Sequence, residues 1–316
     1  MGNNKKKSII GVCIVTYNQQ KYIAQCIDSV LCQQCSEEVR VYVGNDCSTD
    51  NTADVCGSYV DKIIFIDRPK NLGLVGNTMA LLDQIRNDGC DYIAMLDGDD
   101  YWIDKQKLQK EFNYLENHPD YGLVHTQVNQ LYPQGIKVDN RKDVREGCVF
   151  DIIEKYVICN CSVMFRTELL DMIDFDEFQN QGFESCDYVM YAIFASKTGF
   201  GFLPECTAVW RRGIESVSGS SNVDRKIYYV QNDLAQWRYL AKLFPERWSY
   251  TEQDGEDYLH WQAFNIAFRF GDRKRALQEV PYLKGSYRKK NRIKIIFVHS
   301  RFLMLLWNLF REKGSQ

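Results

Sequence analysis

Three carboxylates surround one glycine in the stretch Tyr92–Trp102, Tyr-Ile-Ala-Met-Leu-Asp-Gly-Asp-Asp-Tyr-Trp. Asp97 and Asp99 stand two residues apart, and Gly98 lets the backbone turn between them. Hard oxygen ligands at that spacing can hold Mg2+ or Mn2+ against a phosphate, because such ions leave part of their shell to substrate oxygens. A solvated acidic turn has the same composition, so the chemistry depends on where the chain places it. The preceding residues, Tyr92–Leu96, form an apolar run of buried-strand length. The acids are therefore expected where a strand leaves its sheet.

The elements that must carry them alternate through the first half. Ile9–Val15 is a continuous apolar run, the pattern of a strand buried on both faces. Tyr22, Ile23, Cys26, Ile27, Val30 and Leu31 recur at helical spacing. Strands follow at Val39–Val43, Ile63–Ile66 and Tyr92–Leu96, with helices at Ala53–Tyr59, Leu74–Ile85 and Lys105–Leu115. This order predicts an α/β fold with a mainly parallel sheet flanked by helices. Ligands of such sheets bind outside the carboxyl ends of the strands. Thr16-Tyr17-Asn18 follows the first strand, Asn45-Asp46 the second and Asp97–Asp100 the fourth, so one cleft could collect all three. Neither a Gly-x-Gly-x-x-Gly nor a Gly-x-x-x-x-Gly-Lys-Ser/Thr fingerprint occurs, which argues against classical dinucleotide and P-loop binding.

Beyond this half, Leu123–Gln130 and Ser162–Phe165 read as strands and Cys186–Ala195 as a helix. Phe200–Leu203 and Thr207–Trp210 read as two short strands. The Ser- and Gly-rich segment Gly213–Asn222 marks a loop or boundary, after which aromatic residues recur at helical spacing. A tail follows in which the basic stretch Arg288–Lys294 precedes apolar Ile295–Val298 and Phe302–Phe310. That order suits a helix lying on an anionic membrane face, and equally a helix packed on the aromatic ones before it. The chain has 316 residues and a net charge of −3, which gives no basis for whole-surface nucleic-acid binding. Met-Gly-Asn-Asn-Lys-Lys-Lys at the start lacks the apolar region of a signal peptide. The 12 cysteines are accordingly expected as reduced, packed thiols. Cys32-Gln-Gln-Cys35 and Cys159-Asn-Cys161 are the close pairs, without further ligands at zinc spacing.

Five segments carry a family resemblance by their order and spacing: Val15-Thr-Tyr-Asn18; Ser29-Val-Leu31 with Gln33; Asp46-Cys-Ser-Thr-Asp50 with Asn51-Thr52; Asn71-Leu-Gly73 with Asn77; and Leu96-Asp-Gly-Asp-Asp100. From the first strand to about Ser218 the chain resembles an inverting glycosyltransferase of family 2 with the Rossmann-like GT-A fold. The resemblance implies a catalytic domain over residues 1–218. A helical C-terminal region over 219–316 would then contact acceptor or membrane.

It also implies roles. Thr16 and Tyr17, with Asn18, would line the nucleotide base pocket, and Asp46 would accept a hydrogen bond from the base. Asn71, Gly73 and Asn77 would bind the nucleotide-sugar, and Asp97 and Asp99 would contact the sugar-nucleotide and its Mn2+ or Mg2+. Asp187, within Phe183–Tyr188, would be the catalytic base, with Glu184 as the alternative. Arg211 and Arg212 would neutralise diphosphate. A uridine diphosphate sugar is the expected donor and a glycan or lipid-linked hydroxyl the acceptor. The implied role is bacterial surface-polysaccharide synthesis in the cytoplasm, at the inner face of its membrane.

Five positions depart from the family pattern: Asn45 for Asp, Cys47 for Gly, Gly76 for Arg, Cys186 for Glu and Gly213 for His. These departures keep open a non-catalytic sugar-nucleotide or glycan binder with a degenerate site. A nucleotidyltransferase is the other alternative, although Thr16–Lys21 lacks the Gly-rich, basic loop expected of one.

Overall fold

The computed structural model describes residues 7–138, 147, 152, 158–212, 222–246 and 250–313. Two compact units divide the chain, Met1–Gly213 and Ile214–Gln316. The segment expected as loop or boundary, Gly213–Asn222, lies outside the described residues except for Asn222.

In the first unit the alternation takes the expected form. The elements are β1 (Ile9–Thr16), α1 (Ile23–Leu31), β2 (Glu38–Asn45), α2 (Thr52–Gly57), β3 (Ile64–Asp67), α3 (Gly73–Asn87) and β4 (Tyr92–Asp97). They continue with β5 (Tyr101–Trp102), α4 (Lys107–Asn117), β6 (Tyr121–Tyr132), β7 (Gly135–Val138), β8 (Val163–Arg166), α5 (Phe175–Asn180), α6 (Asp187–Lys197) and β9 (Gly199–Arg211). Every residue of β1 is buried, as its unbroken apolar run requires of a central parallel strand.

The strand order is β3-β2-β1-β4-β8-β6-β9-β5, with β7 paired to β6. Strands β3, β2, β1 and β4 are mutually parallel; β8 then runs antiparallel to both β4 and β6. The sheet is thus parallel over the half that the alternating pattern specifies and mixed beyond it. Expected as two strands, Phe200–Leu203 and Thr207–Trp210 form the single strand β9 with a bulge. Thr126 of β6 faces Leu203 while the next residue, Gln127, faces Cys206. Pro204 lies in that jog, where a residue without an N–H costs the ladder nothing.

The second unit is helical: α7 (Val223–Leu243), α8 (Glu252–Phe270), α9 (Arg273–Glu279), α10 (Gly285–Lys290), α11 (Arg292–His299) and α12 (Arg301–Lys313). Asn222, Thr251 and Asp272 cap α7, α8 and α9 by accepting a backbone N–H three residues on; each cap contributes about 1 kcal/mol. Gly271 ends α8 at φ +77°, a conformation that favours glycine. The core of this unit gathers Phe264, Ala267 and Phe268 of α8 with Ala276, Val280, Leu283, Val298 and Met304.

Candidate active site

The parallel register brings the chemistry-bearing residues to one edge. Thr16 at the end of β1 lies beside Asn45 of β2, Asn45 beside Asp67 of β3, and Val15 beside Asp97 of β4. Three of the segments read from the sequence therefore leave the sheet together at its carboxyl edge.

The loops after β1 and β2 are cross-stitched. Asn18 donates its N–H to Ser48 Oγ at 2.9 Å, and its Oδ1 accepts the Thr49 N–H at 2.8 Å. Gln19 and Gln20 donate their N–H groups to Thr52 Oγ1 and Asp50 Oδ2. Asn18 at φ +53° and Cys47 at φ +59° are the non-glycine residues in the left-handed region among those described. An asparagine tolerates this conformation when its side chain bonds locally, as here. Cys47 stands where a glycine is usual and keeps a glycine's backbone. Tyr17, at 46% exposure, opens to solvent beside Thr16, which is buried.

Asp46 is buried; its Oδ1 accepts the Leu72 N–H at 2.7 Å and its carbonyl accepts Asn71 Nδ2 at 2.9 Å. Asn71 Oδ1 accepts the N–H of Gly73, whose φ of +74° starts α3. Asn71 and Gly73 thus shape the turn that seats Asp46. Asn77 was expected to bind the nucleotide-sugar; it is buried behind the edge. Its amide donates to the Gly44 carbonyl and accepts from Arg68 Nε. With both ends engaged, it holds β2 and Arg68 in place.

The Asp97–Asp100 turn packs tightly on β1. A Cβ on Gly98 would lie 2.9 Å from the Thr16 side chain, too close for any other residue without a shift. Thr16 Oγ1 donates to Gln19 Oε1 at 2.8 Å, and the Gln19 amide hydrogen-bonds Asp99. Burial, then the charges of Asp99 and Asp187, push the Asp97 carboxyl up to about 7, against a hydrogen bond from Asn160. Burial also raises Asp99, with Arg211 and Gln19 opposing. Asp100 is buried beneath them, accepts the Arg211 N–H at 2.8 Å, and is raised by burial and by its two neighbours. The guanidinium of Arg211 lies 4.8 and 4.7 Å from the Tyr22 and Tyr101 ring centres and donates to the Asp99 carbonyl and Gln25. Arg212 stacks instead on Trp210.

Asp187 opens α6 in its first turn, where a helix end favours negative charge. Tyr191, one turn further along α6, is joined through Asn160 to Asp97, and the charge of Asp187 helps to raise the Asp97 carboxyl. Glu184 lies, partly exposed, in the loop before the helix.

Asn160 was missed as a site residue. Its Nδ2 donates to Asp97 Oδ1 at 3.0 Å, and its Oδ1 accepts from Tyr191 of α6 at 2.6 Å, so one amide joins the acidic turn to the helix of Asp187. The only sequence signal was its place between Cys159 and Cys161, which drew attention to the thiols. Those cysteines are buried, with sulfurs 3.5 Å apart. Arg68 was also missed. It directly follows β3 at the same edge, and its Nη2 is buried without a hydrogen-bond partner among the described residues.

Asp97 and Asp99 could hold a divalent cation. Among the described residues no three His, Cys, Asp or Glu side chains form a complete site. Two carboxylates with raised pKa values nevertheless suit an ion that takes its other ligands from water and substrate phosphate.

The model of the family described as "Glycosyl transferase family 2" matches residues 11–171, just over half of the chain. The chain belongs to glycosyl transferase family 2. The matched span runs from within β1 past β8, hence over Thr16, Asp46, Asp97, Asp99 and Asn160, and stops before Asp187. One relative within the family's reach is a putative teichuronic acid biosynthesis glycosyltransferase of Bacillus subtilis, TuaG. It is 24% identical over 243 residues, covering 74% of this chain and 91% of that protein. Mycobacterial relatives at 27% identity are longer, and the match spans 63% of their length. Among solved structures, residues 1–349 of Staphylococcus aureus TarS bound to UDP superpose with a TM-score of 0.55 at 17% identity, covering 89% of this chain and 91% of that one. A Pyrobaculum calidifontis mannosyltransferase in complex with GDP-Man and Mn2+ gives the same TM-score at 15% identity, covering 97% and 88%. The fold is GT-A-like, as expected from the sequence.

Proposed function

We propose that the first unit transfers a sugar from a nucleoside diphosphate donor to an acceptor hydroxyl with inversion at the anomeric carbon, in the assembly of a surface polysaccharide. The observation that carries this reading is the meeting of four groups. Thr16, Asp46 and the Asp97–Asp99 turn share one sheet edge within the family-matched span, and Asn160 ties Asp97 to Tyr191 on the helix that Asp187 opens. The nucleoside would stack along Tyr17, with Asp46 beside the base. Uridine diphosphate is the favoured leaving group; among the structural neighbours, one binds UDP and another GDP-Man.

Asp97 and Asp99 would hold Mn2+ or Mg2+, which when bound neutralises charge on the departing diphosphate. Gln19 and the Asp99 backbone contact to Arg211 fix the orientation of that carboxylate. Asp187 would take the proton of the acceptor hydroxyl as its oxygen attacks, the task of a base within hydrogen-bond reach. Asp187 opens the helix that Asn160 ties to Asp97 through Tyr191, which favours it over Glu184 in the preceding loop. A single base with no protein nucleophile gives inversion. Asn160 would keep Asp97 and α6 at fixed separation, so that donor and base stay aligned.

The testing experiment presents a panel of nucleotide-sugars with Mn2+ and a polysaccharide or lipid-linked acceptor, and measures release of free nucleoside diphosphate. Release that requires Asp187 supports transfer. Tight donor binding with no release in the presence of any acceptor would instead make the site a binder.

A further inference from the structure

The helices α11 and α12 present two apolar faces; among the described residues one packs in the core of the helical unit and the other is exposed. On the inner face, Val298 and Met304 are buried in the core of the helical unit, and Trp307 Nε1 donates to the Phe268 carbonyl at 3.1 Å. The tail therefore packs on the aromatic helices, one of the two expectations drawn from its sequence. The outer face remains apolar all the same. Ile293 and Ile296 of α11 are 72% and 60% exposed; Phe302, Leu305 and Leu309 of α12 are 67%, 58% and 50% exposed. Their spacing of three and four residues makes one continuous stripe on each helix. Isolated exposed apolar residues are ordinary, but a contiguous row of large ones marks an interaction surface.

Charge identifies the partner. From Lys284 to Phe310 the sequence carries seven Lys or Arg and no Asp or Glu, in a chain whose net charge is −3. Lys289, Lys290 and Arg292 are exposed, and Arg292 precedes Ile293 on the exposed side of α11. An apolar stripe edged by cations complements a surface with anionic headgroups over hydrocarbon, and the two attractions together give stable attachment. Among the described residues no single helix is long and apolar enough to span such a layer; α11 and α12 reach the length and composition of a span only as a pair, and that pair is bent by 110°. Each also keeps its inner face on the protein core.

We propose that the outer face of α11 and α12, with the basic segment before it, docks on an anionic phospholipid bilayer, with both helices lying in the interface. This inference is independent of the sugar-transfer reading. The test is flotation of the full chain with vesicles of phosphatidylglycerol and phosphatidylcholine, and with phosphatidylcholine alone. Wild type should float with the anionic vesicles at low salt and far less with the neutral ones.

Near such a surface each basic residue contributes roughly fivefold in partition. Lys289→Gln/Lys290→Gln/Arg292→Gln should therefore weaken binding by roughly a hundredfold, and only at low salt. Ile293→Gln/Ile296→Gln/Phe302→Gln should abolish the binding that survives high salt. If that variant loses helical circular dichroism, Leu305→Gln/Leu309→Gln on the same stripe replaces it. Wild type remaining soluble with anionic vesicles, or variants that float like wild type, would overturn the proposal. So would light scattering that shows a wild-type dimer made monomeric by the apolar substitutions, since the stripe would then belong to a second copy.

Discussion

Lys107 and Glu111 form an ion pair with no solvent exposure on either side chain, one turn apart on α4, with Nζ 2.5 Å from Oε2. The pair lies near the acidic turn: Lys107 Nζ lies 4.7 Å from the ring centre of Trp102, whose indole N–H donates to the Cys161 carbonyl beside Asn160. Glu111 Oε1 has no hydrogen-bond partner among the described residues, and burial pushes the carboxyl from 4.5 up to about 7 despite the attraction of Lys107. That shift corresponds to roughly 3 kcal/mol by which burial outweighs the pairing. Glu111→Leu alone would strand a buried ammonium and should cost about 3–5 kcal/mol. Lys107→Met/Glu111→Leu removes both charges at similar volume and should fall between neutral and about 3 kcal/mol more stable than wild type.

The sign with pH follows from the raised carboxyl. Between about 4.5 and 7 the folded chain holds a proton that the unfolded chain has lost, so wild-type stability falls as pH rises through that window. The advantage of the double variant should grow over the same range. Urea unfolding of wild type, both single variants and the double variant at several pH values measures this directly. A double variant as destabilised as the sum of the singles, or an advantage independent of pH, would refute the reasoning.

Asp187→Asn should leave donor affinity intact and lower kcat by roughly 10²–10⁴, the scale of general-base loss, measured by steady-state kinetics with donor-binding calorimetry. Near-normal Asp187→Asn beside a dead Glu184→Gln would move the base to Glu184. Asp99→Ala should abolish turnover and the metal dependence of donor binding, and wild-type activity persisting in excess chelator would remove the metal from the reaction. Cys47→Gly should raise stability by about 0.5–1 kcal/mol. The left-handed conformation costs a non-glycine residue about 1–2 kcal/mol, partly offset by the greater freedom of glycine when unfolded. An unchanged or lower urea midpoint would mean that the Cys47 side chain compensates locally.

What could be read from the sequence was set by range of interaction. β1 and β4 announce themselves because strands buried on both faces are apolar throughout, and the residues that follow them inherit a position at the sheet edge. Asp46, Asp97 and Asp99 were legible for that reason. Asn160 was not, since its role arises from partners 63 residues before it and 31 after. The buried place of Asn77 was not legible for the converse reason. Its spacing from Gly73 places it on α3, but only the packed fold shows which face points inward. β9 looked like two strands because Pro204 interrupts the apolar pattern, and the bulge that absorbs it exists only in the pairing with β6. The outer stripe of α11 and α12 was visible as apolar content, yet which half of that content is covered is a property of the fold alone.

The departures from the family pattern bear on whether the site is intact, and two of them can be weighed in the structure. Asn45 Nδ2 donates to Asp67 Oδ1 at 2.7 Å. An aspartate at position 45 would set two acceptors against each other there, so with Asp67 as its neighbour the amide is the group that satisfies the edge. Ser48 Oγ in turn donates to Asn45 Oδ1, fixing the loop that seats Asp46. Cys47 sits within the same loop and adopts φ +59°, so the turn is preserved at an energetic cost. A site drifting free of function would be expected to relax such strain and to lose the closest packing. Here Gly98 is pressed on Thr16, Asn160 is bonded to Asp97 and Tyr191, and the carboxylates are crowded where their charges oppose one another. Strain and charge crowding kept together at one sheet edge favour a working site over a decayed one.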